Sequence, residues 1–153
     1  MGGKIKVVQY GCGPVGCVIV SAASQRPSID IIGAIDLVNV GRDLGEVANI
    51  GRRLDVSISK DADTLLNQTK PDIVLHATSS SLEAVYPQLE QIMKAGANII
   101  STCEELSYPH WKQPELAAKV AGRNVDGVGL LRAEFIIAHI GEHPCFLLRE
   151  KRE

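Results

Sequence analysis

The chain has 153 residues and a formal net charge of −2, with 45% hydrophobic and 22% charged residues. That is the length and balance of one globular domain, large enough to bury a core without disulfide or metal staples. Near-neutral charge and only 4% aromatic residues exclude a phosphate-backbone surface and a base-stacking platform, so no nucleic-acid partner is expected.

The elements follow one another legibly. Lys4–Tyr10 (KIKVVQY) reads as a short strand rich in β-branched residues. A glycine-rich turn follows, then a packed helix over Val15–Gln25, which Arg26-Pro27-Ser28 stops. Ile29–Ile35 (IDIIGAI) is a second buried strand, ending at Asp36. The polar stretch Leu37–Gly51 reads as a loop with one short helix. Leu54–Ile58 alternates as a third strand, and Asp61 is placed to cap a short helix over Asp61–Asn67. Asp72–Ala77 (DIVLHA) is a fourth strand, closed by the polar turn Thr78-Ser79-Ser80-Ser81.

Leu82–Ala95 is the clearest helix, because Leu82, Val85, Leu89, Ile92 and Met93 recur at helical spacing. Pro87 conflicts with it and predicts either a kink or a later start. Gly96 falls where a left-handed residue ends a helix. Asn98–Thr102 is a fifth strand and Pro114–Val120 a short helix. Strands alternating with helices predict βαβ units, and with right-handed crossovers a doubly wound parallel α/β sheet. The near-continuous apolar strands suit a sheet covered on both faces.

No apolar stretch approaches the roughly 20 residues of a membrane span, and Ile5–Tyr10 is too short for a secretion signal. The four cysteines, Cys12, Cys17, Cys103 and Cys145, form no CxxC pair and no metal-ligand spacing. A reduced, cytoplasmic setting without membrane or metal is the expectation. Cys12 and Cys17 read as small fillers rather than a redox pair.

Gly11-Cys12-Gly13-Pro14-Val15-Gly16 is a G-x-G-x-x-G between a predicted strand and a predicted helix. Gly11 permits the tight turn, Gly13 clears the approach to a pyrophosphate, and Gly16 lets the helix pack. The helix N-terminus offers free amides and the positive end of a dipole, and Pro14 fits the first turn. Asp36, 20 residues after Gly16, is placed to accept from adenosine ribose hydroxyls. Its charge repels a 2′-phosphate and favours NAD, while Arg42 keeps NADP open. The same glycines also suit a bare strand-to-helix turn; the acid in register favours a nucleotide.

In such a sheet the ligand lies outside the carboxyl ends of the strands. Thr78, Ser79 and Ser80 end the fourth strand there, and Cys103 and Glu104 the fifth; they are expected to flank a nicotinamide. Ser80 and Glu83 also have the spacing of a capping box, a reading compatible with ligand contact. His76, inside an apolar strand, reads as a satisfied core histidine rather than a catalytic one. Glu104-Glu105 reads more as a solvated pair than as a holder of a substrate amine.

The stretches Gly11–Gly16, Gly33–Asp36, Val40–Glu46, His76–Leu82 and Ile100–Pro109 resemble the N-terminal Rossmann domain of dihydrodipicolinate reductase-like NAD(P)-dependent dehydrogenases. The likeness covers residues 4 to 120 and is nearest to the 2,4-diaminopentanoate dehydrogenase type. HATSSSL with STCEELSYP is far more specific than the glycine loop. The resemblance implies a nicotinamide cofactor, a small amino or imino substrate, and oxidation of an amine or reduction of an imine-like bond. Such enzymes continue into a substrate-binding second domain, whereas this chain ends at Glu153.

Residues 118–153 are instead similar to a piece of the phosphoenolpyruvate synthase barrel, where Arg132 matches an arginine on the substrate phosphate. One strand and one helix cannot assemble a barrel site, so that chemistry is not expected. The chain therefore divides into a dinucleotide-binding domain over 1–121 and an extension over 122–153. Val125–Leu131 would add a sixth strand and Ala133–Ile140 a covering helix. Otherwise their apolar residues form an exposed patch and drive association; packing on the sheet is the preferred reading, and a homodimer is expected with it. Three functions stand open: the cofactor domain of an amine or imine oxidoreductase, a dinucleotide-binding module without turnover, and, on the apolar tail alone, a structural or interaction protein. No side chain presents itself as the acid or base that proton transfer to nitrogen needs.

Overall fold

The computed structural model describes residues 3–107, 109, 113–121 and 129–130. The strands are β1 (Ile5–Tyr10), β2 (Ile29–Ile35), β3 (Ile58–Ser59), β4 (Ile73–His76), β5 (Asn98–Ser101) and β6 (Gly129–Leu130). The helices are α1 (Pro14–Ser24), α2 (Leu44–Val47), α3 (Ala62–Thr69), α4 (Leu82–Lys94) and α5 (Pro114–Ala121), with a 3₁₀ turn at Glu104–Ser107. The six strands form one parallel sheet in the order β3-β2-β1-β4-β5-β6. This is the doubly wound order, which reverses direction between β1 and β4.

Two apolar layers cover the sheet. Val8 and Tyr10 of β1, Ile35, Val74 and Ile99 pack with Leu66 of α3 and with Leu82, Val85, Leu89 and Ile92 of α4. Ala34 instead joins Val20 of α1, Leu44, Val56 and Ile58 on the opposite face. Neighbouring residues of β2 thus enter opposite layers, as the two-residue period of a strand requires. That is why IDIIGAI carries no polar face.

The caps explain several boundaries. Asp61 accepts the Thr64 amide at 3.0 Å and opens α3. Gly96, with φ of +77°, follows the last turn of α4. Pro87 lies inside α4, which still begins at Leu82. Pro87 and Glu83 are both exposed, so water can serve the Glu83 carbonyl that the proline leaves without a donor.

Two expectations need correction. The third strand is shorter than Leu54–Ile58, because the stretch before it runs antiparallel against the β2–β3 loop: Leu44 N donates to Val56 O at 2.8 Å, and Asp43 bridges Ser57. The Ser80–Glu83 capping box does not form. Ser81 occupies the cap position of α4, and the Leu82 amide donates to Glu105 Oε2 at 2.8 Å. The predicted sixth strand is seen at Gly129–Leu130, beside β5. The predicted helix over Ala133–Ile140 lies outside the described residues. Among the described residues no helix is long and apolar enough to cross a membrane.

Candidate functional site

The glycine loop leaves β1 at the point where the strand order reverses. Gly11 takes φ of +92°, and a Cβ there would lie 2.3 Å from Ala77 O. A Cβ on Gly16 would lie 1.9 Å from Gly11 O, so α1 seats directly on the loop that precedes it. Gly13 differs: its φ of −72° suits any residue, and a Cβ there would meet nothing within 4 Å. Among the described residues nothing demands a glycine at position 13, and the space beside it is open. Pro14 opens α1 and Gly13 precedes it with no side-chain cap; Cys17 N donates to Gly13 O at 2.9 Å. Val15 is half exposed beside this open end.

Two side chains set the loop's shape. Gln9 is buried beneath it and donates from Nε2 to Gly11 O at 2.8 Å, while its Oε1 has no partner among the described residues. Asp36, at the end of β2, accepts the Cys12 amide on Oδ2 and the Val38 amide on Oδ1 at 2.7 Å. The acid expected to grip a ribose thus lies against the glycine loop. Arg42 donates to Asn39 Oδ1 at 2.9 Å within the loop that follows. The base of that loop is held by Asp43, whose buried carboxylate accepts from the amides of Gly45, Glu46, Leu54 and Val56 at 2.9–3.3 Å. Burial raises its proton affinity, but the amides of Leu54, Glu46 and Gly45, with Arg53, more than offset this, and the carboxyl stays below its ordinary range.

The β4–α4 loop faces the glycine loop across the reversal point, and a Gly11 Cβ would lie 2.9 Å from Thr78 Cγ2. Thr78 donates from Oγ1 to Gln88 Oε1 at 2.6 Å and lies 3.0 Å from His76 Nε2. His76 is buried, as expected of a core histidine, with Nε2 2.8 Å from Gln88 Oε1 and Nδ1 2.9 Å from Ser101 Oγ. The Tyr10 ring stands edge-on to it at 5.6 Å. Burial lowers the imidazole's proton affinity, partly countered by the Gln88 hydrogen bond. Ser79 Oγ accepts the Ser81 amide at 3.2 Å, and Ser80 is exposed.

Cys103, expected at the crevice, turns inward. Its side chain is in the core, its thiol donates to Ser80 O at 3.2 Å, and its amide donates to Ser101 Oγ at 3.1 Å. Both groups offered to a ligand are therefore engaged inside the protein. Glu104 is exposed at the start of the 3₁₀ turn, whereas Glu105 caps α4. Cys12 and Cys17 are unpaired thiols bonded to carbonyls. Burial, the Asp36 charge and Cys17 push the Cys12 thiol up to about 12, which suits a filler and not a redox group. Among the described residues no group of three potential metal ligands occurs.

The strand order, the glycine turn at the reversal point and the acid closing β2 define a domain of the Rossmann class. Residues 5–107, more than half of the chain, match the family described as "Dihydrodipicolinate reductase, N-terminus", and the chain belongs to that family. It is 29% identical over 139 residues to 2,4-diaminopentanoate dehydrogenase of Acetoanaerobium sticklandii, which covers 83% of this chain and 38% of that protein. The structure of an amine dehydrogenase from Mycobacterium smegmatis superposes with a TM-score of 0.73 at 35% identity, over 78% of this chain and 36% of that one. The chain thus spans less than two-fifths of these relatives. It also shares 29% identity over 114 residues with a probable phosphoenolpyruvate synthase of Methanocaldococcus jannaschii, 74% of this chain but 9% of that protein. A match of that length extends beyond the 118–153 segment in which the likeness was anticipated.

Proposed function

We infer that this domain binds NAD through its first crossover and serves an oxidoreductase acting on a small amino or imino compound. The observation that carries the reading is Gly13, a glycine that no neighbour in the fold requires, at the uncapped start of an 11-residue helix. A diphosphate would lie against the bare backbone of Gly11, Gly13, Pro14, Val15 and Gly16, where the helix dipole favours negative charge. Asp36 beside that loop would take the adenosine ribose and disfavour a 2′-phosphate. Arg42, in the loop that follows Asp36, is the residue that would admit NADP.

The nicotinamide half would lie toward Thr78, Ser79, Ser80 and Glu104. The cofactor supplies hydride transfer; the chain's own residues hold and orient it and exclude water. The names of the relatives, a diaminopentanoate dehydrogenase and an amine dehydrogenase, support the amine class of substrate. A cytoplasmic homodimer completes the reading, and the mass in size-exclusion chromatography tests the dimer.

A second reading, a module that binds dinucleotide without turnover, is favoured by one observation. His76 and Glu105, two side chains suited to proton transfer near the crevice, are committed to internal hydrogen bonds. NADH fluorescence and steady-state NADH oxidation with imines and ketones separate the readings. Binding with turnover supports the first, binding alone the second, and no binding removes both.

A further inference from the structure

The polar cluster under the β4–α4 loop is fixed in direction. Thr78 has one hydroxyl proton, and it goes to Gln88 Oε1 at 2.6 Å. The same oxygen lies 2.8 Å from His76 Nε2, and with an acceptor on that side the ring proton is assigned to Nε2. Nδ1 is then bare and accepts from Ser101 Oγ at 2.9 Å, whose oxygen in turn accepts the Cys103 amide at 3.1 Å. The Nε2–H also faces Thr78 Oγ1 at 3.0 Å. With the Gln88 oxygen turned to both, the Thr78 and Ser101 hydroxyl protons and the ring proton each have a partner, and Thr78, the exposed member, keeps a lone pair but no free proton. A hydroxyl left to rotate would offer donor and acceptor alike.

We propose that His76 and Gln88 are positioning residues that hold the Thr78 hydroxyl as a fixed hydrogen-bond acceptor for the nicotinamide half of the dinucleotide. The matching ligand group is a donor, a ribose hydroxyl or a carboxamide N–H, and not an anionic oxygen. This rests on the dinucleotide reading above. It goes beyond that reading by assigning work to a buried histidine and a helix glutamine that touch no ligand.

The test measures dissociation constants of NADH and of AMP for the full chain and its variants, with melting temperatures alongside. AMP occupies only the half held by the glycine loop and Asp36, so it reports on that half alone. His76→Asn keeps an acceptor for Ser101 but loses the donor to Gln88 and Thr78. Gln88→Met removes the acceptor. Each is expected to weaken NADH roughly fivefold, the size of one net hydrogen bond, and to leave AMP unchanged. His76→Gln places an amide N–H near the Nε2 position and is expected to restore NADH affinity to within about twofold.

Equal NADH affinity across all variants overturns the proposal. So does a parallel loss of NADH and AMP that tracks melting temperature, or a His76→Gln protein no better than His76→Asn. Failure of the unaltered chain to bind either ligand overturns the dinucleotide reading and this proposal with it.

Discussion

Asp36 and Cys12 join the end of one strand to the loop after another: the carboxylate accepts the Cys12 amide, and its second oxygen accepts that of Val38. The acid is therefore a structural brace for the glycine loop as well as the expected contact of a ribose. The two roles separate in Asp36→Ala. Stability is expected to fall by about 2 kcal/mol, the worth of the two amide bonds lost. NADH affinity is expected to drop about tenfold while NADPH affinity changes less, so the ratio of the two constants from fluorescence titration is the deciding number.

Gly13 and Gly16 are expected to fail in opposite ways. Gly13→Leu should leave the melting temperature unchanged, because a Cβ there meets nothing within 4 Å, yet abolish NADH binding. Gly16→Ala would drive a methyl to 1.9 Å from a backbone oxygen and should cost roughly 3 kcal/mol by overpacking. Calorimetric melting beside NADH titration reads both. Unchanged affinity in Gly13→Leu removes the main support for the dinucleotide reading.

Asp43 ties stability to acid. Its carboxyl is held below the ordinary value in the folded state, so between the two values the unfolded chain binds more protons. The contribution is complete above the unfolded value, about pH 4, and is lost as the pH falls through the lower, folded one. Asp43→Ala leaves four amides without their acceptor and is expected to cost about 3 kcal/mol at pH 7. Urea unfolding from pH 7 down to 3 should show a flatter decline in the variant.

The cap of α4 offers a direct comparison of two residues. Glu105→Ala removes the acceptor of the Leu82 amide and is expected to cost about 1 kcal/mol. Ser80→Ala, at the position where the spacing predicted a cap, is expected to change stability by less than about 0.5 kcal/mol. Denaturant midpoints distinguish them.

The periodic and turn-forming parts of the fold were readable in advance. Ile29–Ile35 was bounded by a proline turn and an acid, and the Leu82 helix by its spacing and by Gly96. What escaped notice depends on contacts distant in sequence. Glu105 takes over a cap that local spacing assigned to Ser80, because the β5 turn packs over the loop. Cys103 looked like a crevice residue by its place after a strand, but the strand's end directs it into the core. Gln9, a polar residue near the end of an apolar strand, is the one local signal of a brace under the loop. Asp43 had a local signal only for its capping half: Asp before Leu44 with Glu46 three residues on suits an N-cap, whereas the Leu54 and Val56 donors come from the far side of the β2–β3 loop.

Because Gln9 grips the Gly11 carbonyl from below, the main chain at the first crossover is already set before any partner arrives. Association there forfeits little backbone freedom of the loop, so the conformational part of the entropic penalty falls mainly on the incoming molecule. Capture should then be a one-step encounter, with a rate that rises linearly with concentration and shows no plateau from a slow rearrangement.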